Sequence, residues 1–150
     1  MSTPEERLAA IGLALPEVAK PVAAYVPAVR SGDHVFTAGQ LPMRSGVLMM
    51  TGKVGGEVAP EQAYECAKQC ALNGPAGVAS VVGDLSAVKR VVKVVVFVAS
   101  EADFSGQPAV ANGASELLGQ VFGDAGIHAR SAVGVSVLPL NAPVEVELVV

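Results

Sequence analysis

The sequence predicts a single α+β domain: one mixed sheet with both long helices packed on the same face and a short helix ahead of them. Two long helical patterns, from Pro60 to about Val82 and across "GQPAVANGASELLGQVFGDAG", are separated by one strongly apolar strand and flanked by others, in the order αββαβαββ. The chain has no internal repeat, no low-complexity tract and no linker long enough to divide it into domains. The span 1–150 is therefore expected to fold as one unit, with 1–20 as a helical N-terminal extension. With 51% of its 150 residues apolar, it can bury a sizeable core.

Each element has its own signal. Thr3 as N-cap, Pro4 at the first helical position and Glu6 three residues after the cap form a capping box that opens the first helix. In "LPEVAKPVAAYVPAVRSGD", Pro16, Pro21 and Pro27 forbid a continuous helix and favour an extended lead-in. Ser31-Gly32-Asp33 is a turn before the strand "HVFTAG", and Arg44-Ser45-Gly46 a turn before a second strand in "VLMMTGKVG". In the helix from Pro60, the residues Ala63, Ala67, Cys70, Ala71 and Val78 share an apolar face. Gly74-Pro75 is expected to kink or break that helix, because an interior proline removes a backbone hydrogen bond at a cost of about 3 kcal/mol. "VKRVVKVVVFV" is the strongest strand; apolar on both faces from Val94 to Val98, it belongs inside a sheet covered twice. The second long helix turns Val110, Leu117, Leu118 and Val121 inward and ends at Gly123 or Gly126. Strands at about 131–138 and 144–150 finish the chain.

Charge and composition exclude several functions. A net charge of −4 without a Lys/Arg run offers no footprint for nucleic acid or an anionic membrane surface. The apolar stretches fall short of a membrane span of about 18 or more residues. The acidic start "MSTPEERLAAIG" lacks the basic and apolar regions of a secretory signal, so a cytoplasmic protein is expected. Cys66 and Cys70, four apart on a helix with no histidine nearby, match zinc spacing poorly and are expected to be buried, inert thiols. His34 and His128 stand alone, so no metal cluster is visible; His128, two residues before Arg130, reads as structural or surface, with a place at a pocket mouth as the alternative. "TGKVGG" lacks the spacing of a phosphate loop. A mean hydropathy of +0.50 without a membrane span asks for apolar surface to be covered, most simply by an oligomer.

The last two strands carry the charge pattern of interest. "RSAVGVSV" alternates, and the valines Val133, Val135 and Val137 are expected to face the helices. That leaves Arg130, Ala132, Gly134 and Ser136 on the opposite face, which is small enough for another backbone or subunit to approach. In "VEVELVV", Glu145 and Glu147 lie on one side and Val144, Val146 and Leu148 on the other. If "LPLNAP" joins an antiparallel pair, Glu145 falls near Ser136, roughly 20 Å along from Arg130 at about 3.3 Å per residue, and a shared site needs two chains. Alternatively, Arg130 merely solvates a strand end and the glutamates are edge charges against aggregation.

"YVPAVRSGDHVFTAGQLP", "FVASEADF", "HARSAVGV" and "LPLNAPVEVE" resemble the signature blocks of the YjgF/YER057c/UK114 (Rid, reactive-intermediate deaminase) family, once labelled L-PSP endoribonucleases, from roughly Tyr25 to the end of the chain. The resemblance implies a chorismate-mutase-like α+β fold and a homotrimer with sheets packed inward. It also implies interface sites that hydrolyse reactive enamine or imine acids to 2-oxo acids and ammonia, without metal or organic cofactor. It assigns carboxylate binding to Arg130, water orientation to Glu145, and ligand contact to Tyr25, Asn112, Ala38, Gly39 and Ala132. A guanidinium fork suits a planar carboxylate, and a carboxylate beside an electrophilic carbon can orient or deprotonate water.

The chain also departs from the family pattern. Ala38 stands where deaminating members usually carry serine, Ala132 where they carry cysteine, and Gly134 where glutamate is common. A roomier or differently selective pocket is expected. Two functions follow: an enamine/imine deaminase, or a non-catalytic trimer that binds a small carboxylate or regulates a partner. The acidic balance disfavours ribonuclease activity.

Overall fold

The fold starts from a helix that the sequence caps by itself. In the computed structural model, which describes residues 2–20 and 23–150, α1 spans Pro4–Ala10. Thr3 Oγ1 accepts from Glu6 N at 3.1 Å and Glu6 Oε2 accepts from Thr3 N at 2.9 Å, the expected reciprocal box. Leu8 is buried, and Glu5 Oε2 accepts from Leu85 N at 3.0 Å, which fastens the helix to the body of the domain. Of the lead-in prolines, Pro21 lies outside the described residues.

The lead-in ends in a strand that its prolines obscured. β1 (Ala28–Ser31) pairs antiparallel with β2 (His34–Thr37) across the Gly32-Asp33 turn, where Gly32 has φ 62°. The expected second strand shrinks to a hairpin, β3 (Met43–Arg44) with β4 (Val47–Leu48). Its turn residues Ser45 and Gly46 both have positive φ, the geometry that a two-residue hairpin loop requires. This hairpin stays outside the main sheet and is tied to α2 (Pro60–Val82) by Asn73, whose Nδ2 donates to Leu41 O and Met43 O.

The expected interruption of α2 is absent: the helix runs unbroken through Gly74-Pro75. Every residue from Gln69 to Val78 is buried, and a Cβ on Gly74 would stand 2.6 Å from Leu148 Cδ1. Packing this tight offsets the hydrogen bond that Pro75 cannot donate. β5 (Lys93–Ala99), α3 (Gln107–Phe122), β6 (Ala129–Val135) and β7 (Val144–Val149) complete the chain, and α3 ends at Gly123 with φ 61°. The core is formed by α2 and α3 packed on one face of a mixed five-stranded sheet.

The strand order β1-β2-β7-β5-β6 overturns the expected pairing of the last two strands. β6 runs parallel to β5 at the sheet edge, as the α3 crossover between them allows, while β7 inserts antiparallel between β2 and β5. Glu145 and Glu147 therefore sit on the central strand and are not edge charges.

Register settles the faces. Val94, Val96 and Val98 are fully buried beneath the helices and pair with Arg130, Ala132 and Gly134, so those three also face the helices. This reverses the expectation: Val133 and Val135 point to the open face, with Val95, Phe97, Glu145 and Glu147. The small residues of β6 make room for the start of α3, since a Cβ on Gly134 would lie 2.9 Å from both Gln107 Nε2 and Ser100 Oγ. No helix among the described residues is long and apolar enough to cross a membrane.

Candidate functional site

The seven residues singled out from the sequence fall into two groups. Tyr25, Ala38, Gly39 and Glu145 line one cavity of about 780 Å³, together with Gln40, Asn73 and the lead-in segment 16–20. Glu145 reaches it from the open face of β7, and its carboxylate lies against the backbone of Gly39, where a Cβ would stand 1.8 Å from Glu145 Oε1. Only glycine at 39 admits this placement. The wall is held in place by Gln40, whose N–H and C=O bond Val146 O and N at 2.7 and 3.0 Å, and by Ala38 N donating to Pro27 O.

Burial, and secondarily the charge of Glu147, push the Glu145 carboxyl above the usual carboxylate range. That shift brings it nearer the pH at which a proton can be both taken and returned. Asn73 closes the back of the cavity, and its side chain continues through Gln69 to Arg44.

Arg130, Asn112 and Ala132 form the second group at the β6 edge, on the helix face. Arg130 Nη1 donates to Asn112 Oδ1 at 2.8 Å and to Ser115 Oγ at 3.2 Å, and Nη2 donates to Pro108 O at 3.4 Å. Three of the five guanidinium hydrogens are engaged. Among the described residues, the Nε–H and one Nη2 hydrogen remain for a further acceptor. Arg130 and Glu145 lie on opposite faces of the sheet, two strands apart, and one chain does not bring them together.

Two further residues join this group that the sequence did not assign to the site. His128 Nδ1 lies 2.6 Å from Gly126 O, and Nε2 lies 2.9 Å from Ser115 Oγ, beside Arg130 in a hollow of about 340 Å³. The signal for His128 was its two-residue spacing from Arg130; Ser115 follows Asn112 by three on a helix, and so shares its face. The cysteines are free and buried, and burial pushes the Cys66 thiol up to about 11 and Cys70 well above its ordinary value. Neither is a nucleophile at neutral pH. Among the described residues, no group of three or more His, Cys, Asp or Glu side chains could hold a metal.

Fold and site together define a chorismate-mutase-like domain with a hydrogen-bonded arginine at one edge and a half-buried glutamate in a cavity on the other side. A family model described as "YjgF/chorismate mutase-like, putative endoribonuclease" matches residues 5–150, and the chain belongs to this family. Protein TCP17 of Trypanosoma cruzi is 44% identical over 141 residues, covering 93% of this chain and 88% of that protein. A solved structure from Shewanella oneidensis with the same endoribonuclease description superposes with a TM-score of 0.96 at 34% identity, covering 99% of this chain and 98% of that one. E. coli TdcF, solved with bound serine, gives a TM-score of 0.62 at 26% identity over 89% of this chain and 91% of its own.

Proposed function

We propose that the protein is a homotrimer that hydrolyses small reactive enamine and imine acids to 2-oxo acids and ammonia at its subunit interfaces. One observation carries this reading: the residues that the family resemblance assigns to a single site lie in two groups on opposite sides of one chain, and a neighbouring copy would bring one group to the other. The open sheet face supports the assembly. Val29, Phe36 and Val133 remain 52%, 47% and 43% exposed there, beside half-buried Val95 and Phe97. Serine bound to TdcF supports a ligand of that size.

In this scheme the free edge of Arg130 grips the substrate carboxylate and holds C2 against the Glu145 cavity of the adjacent copy. The enamine takes a proton at carbon to become the iminium ion. Glu145 removes a proton from water as its oxygen bonds to C2, and the C=N electron pair moves to the iminium nitrogen, which becomes a neutral amine. Glu145 then returns its proton to that nitrogen, the C–N bond breaks and ammonia leaves. The protonated carbonyl so formed loses its proton to give the 2-oxo acid, which balances the proton taken up at carbon. No covalent enzyme intermediate and no redox partner is required. Release of such imines by other enzymes of amino-acid metabolism suits a cytoplasmic protein.

Ala38 and Ala132 favour a second reading, in which the trimer binds a small carboxylate without efficient chemistry. A coupled assay separates the two: an amino-acid oxidase or dehydratase generates the imine, and 2-oxo acid release is timed with and without the protein. Acceleration by wild type but not by Glu145→Gln supports hydrolysis. An unchanged rate, with calorimetry still showing 2-oxo acid binding, supports the binding trimer.

A further inference from the structure

We infer that Ser115 and His128 are positioning residues for Arg130: a relay from the Gly126 carbonyl through the imidazole and the Ser115 hydroxyl turns the guanidinium so that its carboxylate-binding edge stays free. The inference rests on the reading of Arg130 as a carboxylate anchor, but the two can fail separately.

The hydrogen-bond directions follow from what each atom can do. Gly126 O only accepts, so His128 Nδ1, 2.6 Å away, carries the proton. In neutral imidazole Nε2 is then an acceptor, and the Ser115 hydroxyl 2.9 Å away donates to it. With its one hydrogen committed, Ser115 Oγ turns its lone pairs outward, and one accepts from Arg130 Nη1 at 3.2 Å. Asn112 Oδ1 takes the other Nη1 hydrogen at 2.8 Å. Both hydrogens of Nη1 are thus held by α3, and Pro108 O takes one hydrogen of Nη2 at 3.4 Å, which leaves Nε–H and the second Nη2 hydrogen for the ligand.

The backbone fixes the relay at both ends. A Cβ on Gly126 would stand 2.4 Å from Leu118 O, so the one-turn helix Gly123–Gly126 lies hard against α3 and its carbonyl has a set position. Asn112 and Ser115 project from one face of α3, and His128 and Arg130 are two apart on an extended segment. Three acceptors of α3, Asn112 Oδ1, Ser115 Oγ and Pro108 O, therefore converge on one guanidinium, where Ala132 offers no polar side chain.

The test uses 2-oxobutyrate as the probe, titrated calorimetrically into the full-length wild type and the variants Arg130→Ala, Ser115→Ala, His128→Leu and His128→Gln, each checked for fold and oligomeric state. Gln places an amide oxygen near the position of imidazole Nε2 and can accept from Ser115; Leu cannot. The expected result is a loss of at least tenfold in affinity for Arg130→Ala, a loss of about 3–10-fold for Ser115→Ala and His128→Leu, and affinity within twofold of wild type for His128→Gln. A purely structural histidine would not distinguish Gln from Leu by ligand affinity. Imidazole ¹⁵N shifts of the ligand-free protein should report the Nδ1–H tautomer in wild type.

If Arg130→Ala weakens binding while Ser115→Ala and His128→Leu match wild type, the relay is overturned and the anchor stands. If Gln and Leu lose affinity equally, positioning through Nε2 is overturned. If Arg130→Ala binds as wild type does, both readings fall. If Ser115→Ala or His128→Leu does not fold, an Nε2–H tautomer in the wild-type spectrum overturns the relay by itself.

Discussion

The two faces of the sheet are written in the same alternating strands, yet they end in different states. On the helix face, Val94, Val96, Val98, Val144 and Val146 are fully buried under α2 and α3, and the only charge placed there along β5, β6 and β7 is Arg130 at the outer edge. On the open face, Glu145 and Glu147 stand on the central strand beside Val95 and Phe97, half-buried and waiting for cover. The difference lies in what covers each face. Helices close the first within the chain, whereas the second is left open by it and is the face on which the proposed trimer would pack. A carboxylate on a central strand is tolerated there because its surroundings stay partly wet.

The largest effect is expected where this contrast is reversed. Val133→Asp puts an unpaired carboxylate on the open face of every copy, at several kcal/mol per buried ion. The chain should keep its helical circular dichroism and sediment as a monomer; a trimer surviving at micromolar concentration would show that the open face is not the interface.

Glu145→Gln tests the charge that the open face tolerates. Loss of general acid–base action should lower imine hydrolysis by about 10²–10⁴-fold. Its stability effect has a definite sign. Because the folded-state carboxyl lies above its ordinary value of 4.5, the folded protein holds the proton more tightly than the unfolded chain does. Stability from this group therefore falls as pH rises from about 4.5 through the folded value. Glu145→Gln should be neutral or stabilising at pH 7, and urea melts should show that advantage shrinking toward pH 4.5. A variant less stable at pH 7 would contradict the assignment of burial as the cause.

On the helix face, Leu118→Ala removes a fully buried side chain and should cost about 2–5 kcal/mol in urea unfolding, without changing the 2-oxo acid affinity of the folded protein. A cost below about 1 kcal/mol would mean that α3 is loosely held. The smallest effect concerns the thiols beneath α2. With Cys66 pushed up to about 11 by burial and Cys70 higher still, neither should react within minutes with an aromatic disulfide at pH 7.5 in the native protein, and both should react in urea. Rapid native-state labelling would place them nearer solvent than the packing does.

Much of this architecture was legible residue by residue. The Thr3–Glu6 box, the bounds of α2, the inward face of α3 and its stop at Gly123 depend on contacts between residues at most four apart, and local chemistry decides them. The family blocks singled out Glu145, Tyr25 and Gly39, which line one cavity, and Arg130, which lies apart from them.

Sheet order was not legible. An alternating strand shows that it has two faces but not which neighbour it takes, so the insertion of β7 between β2 and β5 turned Arg130 toward the helices and Val133 away from them. Pro75 misled for a related reason: its local cost is fixed, whereas the packing of Gly74 on Leu148 that offsets it comes from a strand more than seventy residues later. His128 and Ser115, thirteen residues apart, meet only because the Gly123–Gly126 turn folds back on α3. The sequence alone determined the helices and the reactive groups, since those depend on near neighbours and residue chemistry. Only the tertiary structure decided which face each group occupies, because that depends on long-range pairing whose energy no short window contains.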